Sequence, residues 1–147
     1  MKTLRSRIAP LRQIRSLADA LLFVRIVAFA SVVPLLTRLS LPRLAWVLSL
    51  PRRSSSADPV KVARFIEAST RTAAPLVRPG CLTRGITLWQ FLRVGRPSLA
   101  LRFGVGKVNG TWEGHCWLED DGSPYLERTD PQPTFTVVFT VDGKRAA

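Results

Sequence analysis

The order of hydrophobic periods in this sequence predicts an α+β fold, with helices first and an antiparallel sheet of about four strands after them. Two observations carry that class. Up to Leu92 the apolar residues recur at helical spacing. Beyond Gly95 they alternate in short runs punctuated by Asn109-Gly110 and Asp121-Gly122, which is the pattern of hairpins. With 147 residues the chain is long enough for one modest core.

The first segment, Met1 to Arg15, carries Lys2, Arg5, Arg7, Arg12 and Arg15 and precedes a strongly apolar run from Leu17 to Leu36. A signal peptide is disfavoured because Asp19 and Arg25 interrupt the run and no small-x-small cleavage site follows. A membrane span is disfavoured by the same arginine, which costs about 2.5 kcal/mol or more inside a bilayer. The expectation is a helix from Leu17 to Val33, packed on the rest of the fold or on a partner, with Pro34 ending or kinking it. Leu35 to Leu50, with Arg38, Arg43, Trp46 and a Pro42 helix start, is either a buried helical flank or a basic amphipathic stretch for a membrane interface.

Pro51 to Ala57 is polar and without period, hence a linker, dividing the chain into an N-terminal region (1–56) and a second region (57–147). Asp58 and Pro59 supply an N-cap and first residue for a helix through Val62, Phe65, Ile66 and Ser69 to about Ala74. Pro75 and Pro79 then confine the chain before Cys81. From Cys81 the stripe Leu82, Ile86, Trp89 and Phe91/Leu92 predicts a second helix, stopped by Gly95 and Pro97. Strands are expected over 98–105, 111–119, 123–128 and 135–141.

Three residues suggest chemistry. Cys81 opens a helix, where unpaired backbone N–H groups and the positive end of the dipole favour a thiolate and can hold an oxyanion. His115 is the sole histidine. A three-residue loop Asp120-Asp121-Gly122 pairs Glu119 with Ser123 and sets Glu127 opposite His115, with Cβ atoms roughly 5 Å apart. A two-residue Asp121-Gly122 loop instead pairs Glu127 with Cys116 on the other face. Nucleophile, base and a carboxylate that fixes the base's tautomer are the needs of thiol catalysis, and Cys81, His115 and Glu127 can fill them. The plainer readings are a cysteine acting as a small buried apolar residue and a histidine satisfied structurally. For Cys116 the plainer reading is the stronger.

Charge and cysteine usage narrow the class. The net charge is +12, with ten Lys/Arg against Asp19 alone up to Arg53, a net of +9, and +3 beyond it. The basic third interleaves its arginines with long apolar runs, unlike a single-strand nucleic-acid surface, so no nucleic acid is expected. An acidic peptide, an acidic protein or an anionic membrane fits better. Metal-ligand spacings such as C-x-x-C or H-x3-H are missing, so no zinc and no other cofactor is expected. Gly104-Val105-Gly106-Lys107 lacks the spacing of a phosphate loop. Two dissimilar cysteines do not make a disulfide framework, which points to a reducing, cytoplasmic setting.

Taken together, Cys81-Leu82 with Arg84, Gly104-Val105-Gly106 ending a strand, and His115-Cys116-Trp117-Leu118-Glu119 with Asp121-Gly122 resemble the transglutaminase-like cysteine peptidases that process lasso-peptide precursors. These include stand-alone B2 proteins and the C-terminal domain of the microcin J25 maturation protease. The resemblance covers about 58–141 and implies a transglutaminase-like, papain-like core. It implies catalytic Cys81 and His115, and a third carboxylate at Glu127 where the family usually has Asp, with Glu119 and Asp130 as substitutes. Cys116 replaces the usual alanine. It further implies removal of a leader peptide, a leader-binding B1 protein in trans, and an ATP-dependent lasso cyclase; the basic N-terminal third offers Arg7, Arg12 and Arg15 as candidates for docking that assembly. The alternatives are an acyltransferase or amide hydrolase on another substrate, and a non-catalytic membrane-associated binding module.

Overall fold

The computed structural model describes residues 14–50, 57–73 and 76–142. Arg7 and Arg12, the Pro51–Ser56 part of the linker and Pro75 lie outside the described residues. Among the described residues four α-helices, α1 (Leu17–Leu36), α2 (Leu41–Leu48), α3 (Pro59–Thr72) and α4 (Cys81–Leu92), precede four strands, β1 (Leu99–Val108), β2 (Thr111–Asp120), β3 (Ser123–Tyr125) and β4 (Phe135–Asp142). The strands form one antiparallel sheet in the order β3-β2-β1-β4. The α+β arrangement expected from the hydrophobic periods is the one observed.

Local chemistry sets the helix ends. Ser16 caps α1 by accepting from the Asp19 N–H at 3.1 Å, and Asp58 caps α3 by accepting from Val60 at 3.0 Å. Pro34 lies in the last turn of α1, which ends two residues later at Leu36. Each of α2 and α3 begins with proline in its first two positions, where the missing N–H is no loss.

Helix α4 is central. Its Ile86, Leu88 and Trp89 are fully buried in one cluster with Ile26 and Val33 of α1, Phe65 and Ile66 of α3, and Leu99, Leu101 and Leu118 of the sheet. Edge-to-face pairs lock α1 to its neighbours, Phe23 on Phe65 at 5.6 Å and Phe29 on Phe91 at 6.2 Å. Lys61 adds an ion pair to Asp19 at 2.8 Å.

Both tight hairpins use a two-residue loop. Asn109 and Gly110 (φ 50° and 83°), and Asp121 and Gly122 (φ 49° and 80°), all sit in the left-handed region. This is the type I′ turn, whose twist matches the flanking strands. The second loop pairs Asp120 with Ser123 and Leu118 with Tyr125. It therefore replaces the expected three-residue loop and its register. Moreover, β3 stops at Tyr125 because Leu126 turns left-handed (φ 57°), so Glu127 is not a strand residue at all. Strand β1 also runs past the expected end, through Gly104 and Gly106 to Val108.

Candidate active site

Cys81 is the first residue of α4, and its position follows from the residue before it. Gly80 adopts φ 157° and ψ 161°, a conformation open essentially to glycine, and offers no side-chain cap. The first intrahelical bond runs from the Arg84 N–H to the Gly80 carbonyl at 3.0 Å. The earlier N–H groups, including that of Cys81, thus remain at the helix mouth as orphan donors.

The height of α4 over the sheet is fixed by Gly85, one turn beyond Cys81. A Cβ there would lie 2.9 Å from Cys116 Sγ and 3.4 Å from Leu101 Cδ1. Cys116 is 2% exposed and faces the helix; alternation puts His115 and Trp117 on the other face of β2. Burial pushes the Cys116 thiol well up from its ordinary value, and the neighbouring Cys81 and Glu127 push it the same way.

His115 is half-buried between aromatic rings. It stacks on Trp117 with centroids 5.8 Å apart and leans on Phe135 at 5.0 Å. Glycines on β1 make the room: a Cβ at Gly104 would meet the Trp117 ring at 2.8 Å, and one at Gly106 would meet the Thr134 carbonyl oxygen at 2.1 Å. The segment between β3 and β4 therefore crosses close over this face. Gln132 Nε2 donates to Glu119 Oε2 at 3.0 Å, while Arg102 pairs with Glu119 Oε1 at 2.5 Å.

Cys81, His115, Cys116 and Glu127 line one cavity of about 410 Å³, together with Glu67, Thr70 and Arg71 of α3, Arg84 of α4, and Arg128, Thr129 and Pro131. Among the described residues β3 ends opposite Leu118, so at His115 and Cys116 β2 is paired with β1 on one side and open on its β3 side, and both residues line the cavity at that open edge. The structure thus brings Glu127 to the same cavity as His115 by a chain reversal at Leu126 rather than by strand pairing.

Glu127 is anchored by Arg84. Nη1 donates to Oε1 at 2.7 Å, and Nη2 donates to the Leu126 carbonyl. The pair is part-buried, with the Glu127 side chain 14% exposed. Among the described residues no hydrogen bond joins Glu127 to His115, and Oε2 is left without a donor. The two substitute carboxylates are engaged elsewhere: Glu119, four residues along the same face of β2 as His115, accepts from Arg102 and Gln132, and Asp130 accepts from the Gln132 N–H at 2.9 Å. Neither lines the cavity.

Sequence reasoning did not single out Glu67, Thr70, Arg71 or Arg128, and noted Arg84 only as part of a motif. The first three form part of the polar side of an amphipathic helix, and nothing local distinguishes them from solvated residues. No group of three or more His, Cys, Asp or Glu that could hold a metal ion occurs among the described residues.

Residues 6–140 match the family model Transglut_core3, the transglutaminase-like superfamily. No curated protein and no solved structure matches the chain.

Proposed function

Because the chain belongs to the transglutaminase-like superfamily, we propose that it is a cysteine peptidase that removes the leader from a ribosomally made lasso precursor. The observation that carries the reading is Cys81 at an uncapped helix start, sharing one cavity with His115 and Glu127.

His115 takes the proton of the Cys81 thiol, the thiolate attacks the scissile carbonyl, and the tetrahedral oxyanion is held by the Cys81 N–H. His115 protonates the leaving amine, which breaks the C–N bond and leaves an acyl group on sulfur. It then takes a proton from water, whose attack on the thioester releases the acid and restores the thiol. Arg84 holds Oε1 of Glu127 and leaves Oε2 to accept from the imidazole and fix its tautomer. Contacts with the Trp117 and Phe135 rings limit the imidazole to few orientations. The same cycle with an amine in place of water gives acyl transfer, so the choice between the two outcomes lies with the second substrate.

The reading includes a leader-binding B1 protein in trans and an ATP-dependent cyclase that uses the freed core. It is tested with the full chain, a lasso precursor peptide and its leader-binding protein, followed by mass spectrometry. Cleavage at one bond, lost in Cys81→Ala and His115→Ala, is the expected result. An intact precursor with an active, folded protein and its partner present overturns it.

A further inference from the structure

Helix α1 is apolar on all sides, yet the protein covers only one of them. Ile26, Ala30 and Val33 are buried in the core. On the outer side Leu17 (92% exposed), Leu21 (61%), Val24 (61%), Val32 (44%) and Leu35 (59%) stand in solvent. Only 22% of the helix's most apolar stretch is buried. A helix that is hydrophobic all round normally has all of its faces covered. On α2, Leu41 and Trp46 (68% exposed) are also uncovered, as is Leu50 just past its end.

The charges on this surface are all of one sign. Arg15 precedes α1, Arg25 lies on it, and Arg38 and Arg43 flank the joint with α2; all four are exposed. Asp19 is the only acid from residue 14 to residue 50, and it is 8% exposed and occupied by Lys61 and by the Arg15 N–H. The outer face is therefore apolar and cationic, with no exposed anion.

We propose that α1 and α2 dock the protein on an anionic membrane surface, lying in the plane of the interface. A second copy of the chain would set arginine against arginine, whereas acidic headgroups complement these charges and the acyl region accepts the leucine and valine row. Trp46 has the amphipathic ring that settles at the headgroup level. Although α1 is long and apolar enough to cross a bilayer, spanning would pull Ile26, Ala30 and Val33 out of the core. Flat docking keeps that core intact. This inference does not depend on the peptidase reading.

The test is flotation of the purified full chain with vesicles of pure phosphatidylcholine and of equimolar phosphatidylcholine and phosphatidylglycerol. Binding to the anionic vesicles at low salt is expected, with weaker binding at high salt and to neutral vesicles. Arg38→Gln with Arg43→Gln should lower the partition coefficient about thirtyfold, since each cation near an anionic surface contributes about 1 kcal/mol. Leu21→Glu with Leu35→Glu, both at exposed positions, should abolish flotation while circular dichroism stays unchanged. Should that pair fail to fold, the arginine pair and the salt dependence of the unaltered protein still decide. The proposal is overturned by absence of flotation on anionic vesicles, by flotation that ignores both charge and salt, or by a sedimentation-detected dimer that the leucine substitutions dissolve.

Discussion

Replacing Gly85 by alanine tests how the helix that begins at Cys81 is held. The new methyl would stand 2.9 Å from Cys116 Sγ, closer than real Cβ contacts allow, and 3.5 Å from the Cys116 carbonyl oxygen, which is ordinary contact. Overpacking of this kind costs about 1–3 kcal/mol, against about 1 kcal/mol that alanine gains over glycine in a helix. Gly85→Ala should thus destabilise by up to about 2 kcal/mol. In a Cys116→Ala background the clash is gone, and the same substitution should become neutral or stabilising by up to about 1 kcal/mol. Urea unfolding of the four proteins measures the coupling directly, with unchanged m-values as the control. An equal cost of Gly85→Ala in both backgrounds would refute the account of α4 resting on Cys116.

Three further outcomes follow from the same geometry. The raised Cys116 thiol means that the folded state keeps its proton when the unfolded chain loses it, so stability is full below about pH 8.5 and falls as pH rises above it; Cys116→Ala should flatten that alkaline loss in urea titrations. Arg84→Met leaves the Glu127 carboxylate, 14% exposed, without its cation, and should cost about 1–2 kcal/mol after allowance for solvent. In the peptidase assay it should also cut kcat by up to about a hundredfold, through misplacement of the carboxylate. The hydrogen bond from Lys61 holds the Asp19 carboxyl below its usual value, helped by the Arg15 N–H. The stability it confers is present above about pH 4 and lost on acidification, and Lys61→Met should show a smaller acid loss by thermal melting.

The helix that begins at Cys81 was legible to the residue, Cys81 to Leu92, because Pro79-Gly80 and Gly95-Pro97 punctuate it and its apolar stripe is strong. The caps at Asp58 and the Pro42 start were legible for the same local reason. What escaped was non-local or energetically close. Asp-Gly suits a two-residue loop and a three-residue one alike, and the choice shifts every pair of β2 and β3 by one. A leucine in the left-handed region, Leu126, has no sequence signal, yet it ends β3 and turns Glu127 toward the cavity. Arg84 and Glu127 meet across 43 positions of chain. Gly104 and Gly106 looked like a strand end because what crowds them, Trp117 and the Thr134 backbone, arrives from other parts of the chain.

The most direct measurement is the rate of Cys81 alkylation by iodoacetamide at about pH 6.5, where an unassisted thiol reacts slowly. It is taken by mass spectrometry on the unaltered protein, His115→Ala and Cys116→Ala. A thiol assisted by the imidazole should label quickly, at least about tenfold slower in His115→Ala and undiminished in Cys116→Ala, with Cys116 itself labelling last. Slow labelling of Cys81 that ignores His115 would contradict the pairing of sulfur and imidazole, and with it the catalytic reading of the cavity.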